Sequence, residues 1–331
     1  MIDLRGFIDD AEAIVARANL GRHGAYARHA PVGGAALGPI DPYGCSDAAN
    51  ILYTIGRFPR GLDERAGFVA EMQAQQEPDT GLWRETTHHP IHTTAHCLAA
   101  LELFDAGCLH PLTALAAQRE PAGIRAFLDS RDYLLPWQAS HQGAGIYAAL
   151  VLAGEATPAF QEAYFGWMAE NADPATGLIC KGAPAPVEHS GVATLFPHLA
   201  GSFHYLFNHQ YARRPWPNPD RFVDTCFALR SAREFPLARI VGFAEIDWVY
   251  CLDRCMRQNG YAYAEGLAAL EDFAREYGRF LVELDRSNDR LNDLHMLFGA
   301  LCCLAELQQA LPGRLVTEPP LKLVLDRRPF I

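Results

Sequence analysis

The chain has 331 residues, half of them hydrophobic and a fifth charged, a balance that excludes a disordered polymer. Its 28 Lys and Arg against 39 Asp and Glu give a formal charge of −11, which works against binding nucleic acid or an anionic membrane surface. No apolar run reaches a membrane span and the first residues lack the pattern of a secretory signal, so the sequence predicts a cytoplasmic protein.

Helical periodicity recurs from end to end, and alternation of the β type is nearly absent. It predicts twelve helices, over approximately 3–19, 45–57, 62–76, 91–107, 122–133, 138–154, 158–171, 197–212, 219–231, 243–259, 263–286 and 292–311. The even-numbered ones, such as "AHCLAALELF" and "LHMLFGALCCLAEL", are apolar on nearly all sides and so read as buried. The odd-numbered ones, such as "EDFAREYGRFLVEL", keep a polar face. Six buried helices alternating with six half-exposed ones predict an all-α double ring of about six helical hairpins, an (α/α)6 arrangement in one domain over 1–312. The remaining segment, 313–331 with its "PPLKLVLDRRPFI", is expected as an extended strap that lies over the ring or reaches a neighbouring subunit. The nine cysteines include no C-x-x-C pair and are expected mostly as buried thiols.

An internal repeat supports the hairpin reading. "FVAEMQAQQEPDTGLW" from Phe68 resembles "YFGWMAENADPATGLI" from Tyr164, with Gly81 and Gly177 separated by 96 residues, or two hairpins. In each copy an Asp, Thr and Gly turn is expected to stop the outer helix, the glycine taking the left-handed conformation.

"QEPDTGLW" is also similar to the repeat of the squalene cyclase and protein prenyltransferase β-subunit superfamily, and "NDLHMLFGALCCLAEL" resembles an inner helix of the latter. The resemblance implies an (α/α)6 toroid. It further implies a zinc-binding histidine at His295, with Asp247 in "EIDWVYCLDRC" as a second ligand. The thiolate position of the family pattern is Val249 here, so a zinc site would draw on Cys251 or Cys255 one or two turns along. The chain has no D-x-D-D proton-donor motif, no D-D-x-x-D and no compact Lys/Arg cluster for a diphosphate.

If the inner helices run parallel, their N-termini share one end of the ring. Those termini carry Cys45, Ser46 and Asp47; His92, Thr93 and His96; His141 and Gln142; His198 and His204; Glu245 and Asp247; Asp293 and His295. Ser46, Asp47, Thr93 and Asp293 also suit helix caps. His92 and His96 share a helix face, the spacing a metal uses, whereas His88 and His89 read as solvated loop residues.

Carboxylates facing imidazoles across a partly dry cavity suit general acid/base catalysis. The expected catalytic set is His92, His96, His141, Asp47, Asp247 and His295. Trp83, Tyr147, His204, Glu245, Trp248, Asp293 and Cys45 are expected to bind substrate, and Phe203 and Tyr205 are further aromatic candidates. Helix N-termini favour an anionic group on the substrate, so a polar small molecule or a saccharide such as a uronide is expected. That chemistry calls for no cofactor. A zinc-dependent isoprenoid cyclase or prenyltransferase, and a non-catalytic binding toroid, stand as alternatives.

Overall fold

The computed structural model describes residues 1–233 and 235–330. Among them the chain is mostly helical, with twelve α-helices. These are α1 (Arg5–Ala18), α2 (Pro42–Thr54), α3 (Leu62–Gln73), α4 (Pro90–Glu102), α5 (Pro121–Asp129) and α6 (Pro136–Leu152) in the first half. The second half adds α7 (Pro158–Asn171), α8 (Phe196–Tyr211), α9 (Pro219–Ser231), α10 (Ala244–Asn259), α11 (Tyr263–Glu283) and α12 (Leu294–Ala310). Two strand pairs complete the described elements. β1 (Ile2–Asp3) runs parallel to β4 (Leu315–Val316), and β2 (Val187–His189) forms an antiparallel hairpin with β3 (Val192–Thr194).

Local chemistry sets the helix starts. Proline opens α2, α4, α5, α6, α7 and α9, where its fixed φ suits the first turn and its missing N–H would have had no helical partner. Asp41 caps α2 by accepting from the Gly44 amide at 3.0 Å, and Asp293 caps α12 by accepting from the His295 amide at 3.0 Å. The cap of α2 is therefore Asp41 rather than Ser46 or Asp47, and α4 is capped by His89, not Thr93. The expected starts were late because the prolines precede the apolar stretches that carry the periodicity.

The even-numbered helices pack in a cyclic order, α2 on α4, α4 on α6, α6 on α8, α8 on α10, α10 on α12, and α12 back on α2. Their residues are buried along nearly the whole length. Outer helices cover them from behind, α3 against α2 and α4, α9 against α10, and α11 against α10, α12 and α1. Small residues set the closest approaches: a Cβ on Gly201 of α8 would lie 2.9 Å from the Pro136 carbonyl of α6. That proximity brings the histidines of these two helices together.

The repeat turns have the same bonds in both copies. The Gly81 amide donates to the Glu77 carbonyl and the Gly177 amide to that of Asp173, each at 2.8 Å. Thr80 donates to the Glu77 carboxylate at 2.7 Å and Thr176 to that of Asp173 at 2.6 Å. The acidic member of the first turn is thus Glu77, two residues before the expected Asp79. Both glycines have positive φ, +75° and +73°.

The segment expected as a strap turns inward from Val324. Arg328 is fully buried and donates to Asn50 Oδ1 of α2 at 2.7 Å and to the Ala99 carbonyl of α4 at 3.1 Å. Asn208 of α8 donates to the Pro329 carbonyl at 2.7 Å, and Arg328 lies over the Phe298 ring of α12. The tail therefore fills space among four of the six inner helices.

Candidate active site

Six histidines and an aspartate gather near the N-terminal ends of α2, α4, α6, α8 and α12, five of the histidines on these helices and His88 just before α4. Asp47 is fully buried between two imidazoles: His96 Nε2 lies 2.8 Å from Oδ1, and His295 Nδ1 lies 3.2 Å from Oδ2. Tyr43, one turn earlier on α2, is the hub of the cluster. Its ring stacks on His88 at 4.4 Å and on His96 at 4.7 Å and meets His295 edge-on at 4.7 Å, while its hydroxyl bonds His92 Nδ1. On the other side His92, His141 and His204 converge, with ring centroids 4.3 Å apart for His92 and His141 and 4.9 Å for His141 and His204.

Two groups of potential ligand atoms result, His92/His141/His204 and Asp47/His96/His295, each with its atoms within 4.8 Å of one another. Their electrostatics differ. Burial works against charge on Asp47, yet the flanking His96 and His295 more than reverse this and hold it below the usual carboxylate range. Burial pulls His295 down to about 4 despite Asp47, so at neutral pH a neutral imidazole donates Nδ1–H to a carboxylate. Burial and then neighbouring imidazoles push His92 and His141 well below the ordinary histidine value, and burial takes His204 to about 3.

The loop before α4 presents His88 to this cluster. Glu85 accepts from the Thr87 amide at 2.6 Å and from the Thr87 hydroxyl at 2.8 Å, and it also binds the His88 amide. Arg28 ties the loop to α12 by donating to Thr87 at 2.6 Å and to Asp293 at 3.1 Å. His88 is thus a buttressed part of the cluster and not a solvated loop residue. Its position four residues before His92 continues the His92/His96 face backwards, the signal by which the sequence could have marked it.

A cleft of about 580 Å³ opens over the cluster, walled by His88, His89, Trp137, His141, Gln142 and the β2 residue His189. The N-terminal residues of α6 and Pro197 of α8 also border it, and the positive dipole ends of these helices favour negative charge there.

The remaining expected residues lie elsewhere. Trp83 donates to the Met72 carbonyl at 2.7 Å, Tyr147 donates to Gln161 at 3.3 Å and stacks on Tyr164, and Trp248 donates to the Cys226 carbonyl at 2.9 Å. All three are buried against outer helices rather than in the cleft, where Trp137 is the aromatic wall. Cys45 faces Tyr26 and Gln75, and Asp293 serves as cap and as partner of Arg28. Phe203 packs on Phe207 and Tyr250. Burial takes Tyr205 above the ordinary phenol range, with Tyr133 beside it.

Glu245 and Asp247 stand beside each other on α10, near Cys303 and, for Glu245, Tyr277. The carboxylate oxygens of Asp247 make no hydrogen bond among the described residues. Among the described residues neither Glu245 nor Asp247 joins His295 in a ligand group, so the zinc set Asp247, Cys251 and His295 does not come together there. One turn of α10 separates Cys251 from Asp247, whereas His295 points to Asp47 on α2.

Compared with known families, curated proteins and solved structures, the chain matches none.

Proposed function

We propose that the protein is an enzyme that performs general acid/base catalysis on a polar small molecule or saccharide bound in the cleft above His88 and His141. The observation that carries this reading is Asp47, buried between His96 and His295. A carboxylate that accepts Nδ1–H fixes the imidazole tautomer, leaves Nε2 of His295 as a proton acceptor, and stabilises the imidazolium that forms. Tyr43 and His88 pack around that imidazole and restrict its orientation. Trp137 offers a flat apolar face to a sugar ring, and the helix N-termini at the rim favour a carboxylate or phosphate on it. Lyase, epimerase and hydrolase chemistry all begin with such a proton transfer.

An isoprenoid reading needs apolar room inside the circle of helices. Arg328 and Phe330 occupy that region, with the Phe330 ring 4.8 Å from His92, which supports the polar substrate instead.

A panel of uronides and other acidic sugars, followed by product formation and by deuterium uptake from heavy water, tests the proposal. On the substrate so identified, Asp47→Asn is expected to lower kcat by about 10³-fold or more, because asparagine cannot hold the imidazole in the required state. Full turnover by folded Asp47→Asn and His295→Ala proteins would overturn the assignment.

A further inference from the structure

We propose that His92, His141 and His204 form a binding site for one divalent transition metal ion, zinc by preference, with an open position towards the cleft. The three side chains come from α4, α6 and α8, consecutive in the cycle of inner helices, and offer ligand atoms within 4.8 Å of one another. In a tetrahedral zinc site, bond lengths of about 2.0–2.1 Å place ligand nitrogens about 3.4 Å apart. The ligand atoms therefore need to close by up to about 1.4 Å, within reach of small side-chain rotations.

The surroundings are those of a ligand set and not of ordinary packing. Ser140 Oγ donates to the Trp137 carbonyl at 2.8 Å, so towards His204 Nδ1, 3.1 Å away, it acts as acceptor. That contact fixes the Nδ1–H form of His204 and leaves a lone pair on Nε2. The Tyr43 hydroxyl engages Nδ1 of His92, and with Nδ1–H donated to that oxygen His92 also keeps a lone pair on Nε2. Metal-bound histidines are oriented in this way by a hydrogen bond at the other ring nitrogen.

The triad contains no carboxylate, so buried imidazoles crowd together with nothing in the group to balance a proton on any of them. With no acid in the group to hold their ring nitrogens, the three facing imidazoles suit a metal ion as their common partner. Phe330 packs against His92 and Phe203 against His204, an apolar backing that excludes water behind the site. His141 alone of the three lines the cleft, which places the fourth coordination position on the side where a ligand enters. The neighbouring Asp47/His96/His295 group differs because its carboxylate already accepts from both imidazoles.

The test uses full-length protein without a polyhistidine tag, stripped with a chelator and titrated with Co(II). One equivalent is expected to bind with visible absorption bands, and one equivalent of Zn(II) is expected to abolish them. His204→Ala and His141→Ala are each expected to weaken binding by about 10-fold to 100-fold or more, whereas His295→Asn keeps the cobalt spectrum. His141 is only partly buried, so that variant carries the test if His204→Ala fails to fold. The proposal is overturned if cobalt gives no bands, if both triad variants bind like the parent protein, or if His295→Asn alone loses the ion. Metal binding is read without turnover. Turnover by the chelator-stripped protein would leave the acid/base reading standing whether or not cobalt binds.

Discussion

Glu245 shows how a single buried group sets a pH dependence. Burial raises its pKa to about 7, while the backbone amides of Ala238, Arg239 and Ile240 partly offset that rise. The titratable groups around it are Asp247 on its own helix, Tyr277 on α11 and Cys303 on α12, none of which brings a positive charge. An acid whose folded value lies above its unfolded value of 4.5 holds extra protons in the fold between the two. Its contribution to stability is therefore complete below about pH 4.5 and is lost as the pH rises through about 7, a span worth roughly 3 kcal/mol. Glu245→Gln is expected to flatten the urea midpoint over that window and to raise it at pH 8; an unchanged pH profile would contradict the argument. Residue identity was most legible where one helical face repeated a side chain, as with His92 and His96. It was least legible for Tyr43 and Ser140, whose roles come from contacts with α4 and α8 that no local spacing encodes.

Helices were legible as elements because burial on all sides and proline at the first turn both leave marks in the sequence. The β2/β3 hairpin was not. Its strands are three residues each, and its turn depends on Ser190 and Gly191 at positive φ, too little sequence for an alternation to register. Yet it supplies His189 to the cleft wall. Ionic links between elements escaped for a related reason, since their partners are far apart in the chain. Arg254 of α10 donates to Glu306 of α12 at 2.5 and 2.8 Å and pairs with Asp326 of the tail at 2.9 Å. Glu306 is fully buried, so Arg254→Leu leaves its charge without a partner and is expected to cost about 3–5 kcal/mol in urea unfolding. Pairing that change with Glu306→Leu is expected to recover most of the loss, because two apolar side chains replace the ion pair together. A double variant as weak as the single one would show that the helix contact itself had failed.

At the scale of the whole molecule the two ends of the inner helices have different work. The N-terminal end carries the histidine cluster and the cleft, and further along the same helices the chain's own tail fills the interior. Sequence could place the twelve helices but not this insertion, since "LDRRPFI" has no periodicity and its charged residues suggest solvent. Arg328 enters because Asn50 and the Ala99 carbonyl accept from Nη1 and the Phe330 carbonyl accepts from Nε, a condition that depends on α2, α4 and the tail at once. Burial nonetheless lowers its pKa to about 10, still leaving it charged at neutral pH. Arg328→Met keeps the volume and removes the donors, so it is expected to cost about 1–3 kcal/mol through the unpaired acceptors. Phe330→Ala removes a fully buried ring that touches His92, and is expected to cost about 3–5 kcal/mol. Urea unfolding at pH 7 checks both values. A strap lying loosely on the surface would give neither loss, whereas a tail built into the core gives both, and Phe330→Ala should also alter the environment of the His92 ring seen by NMR.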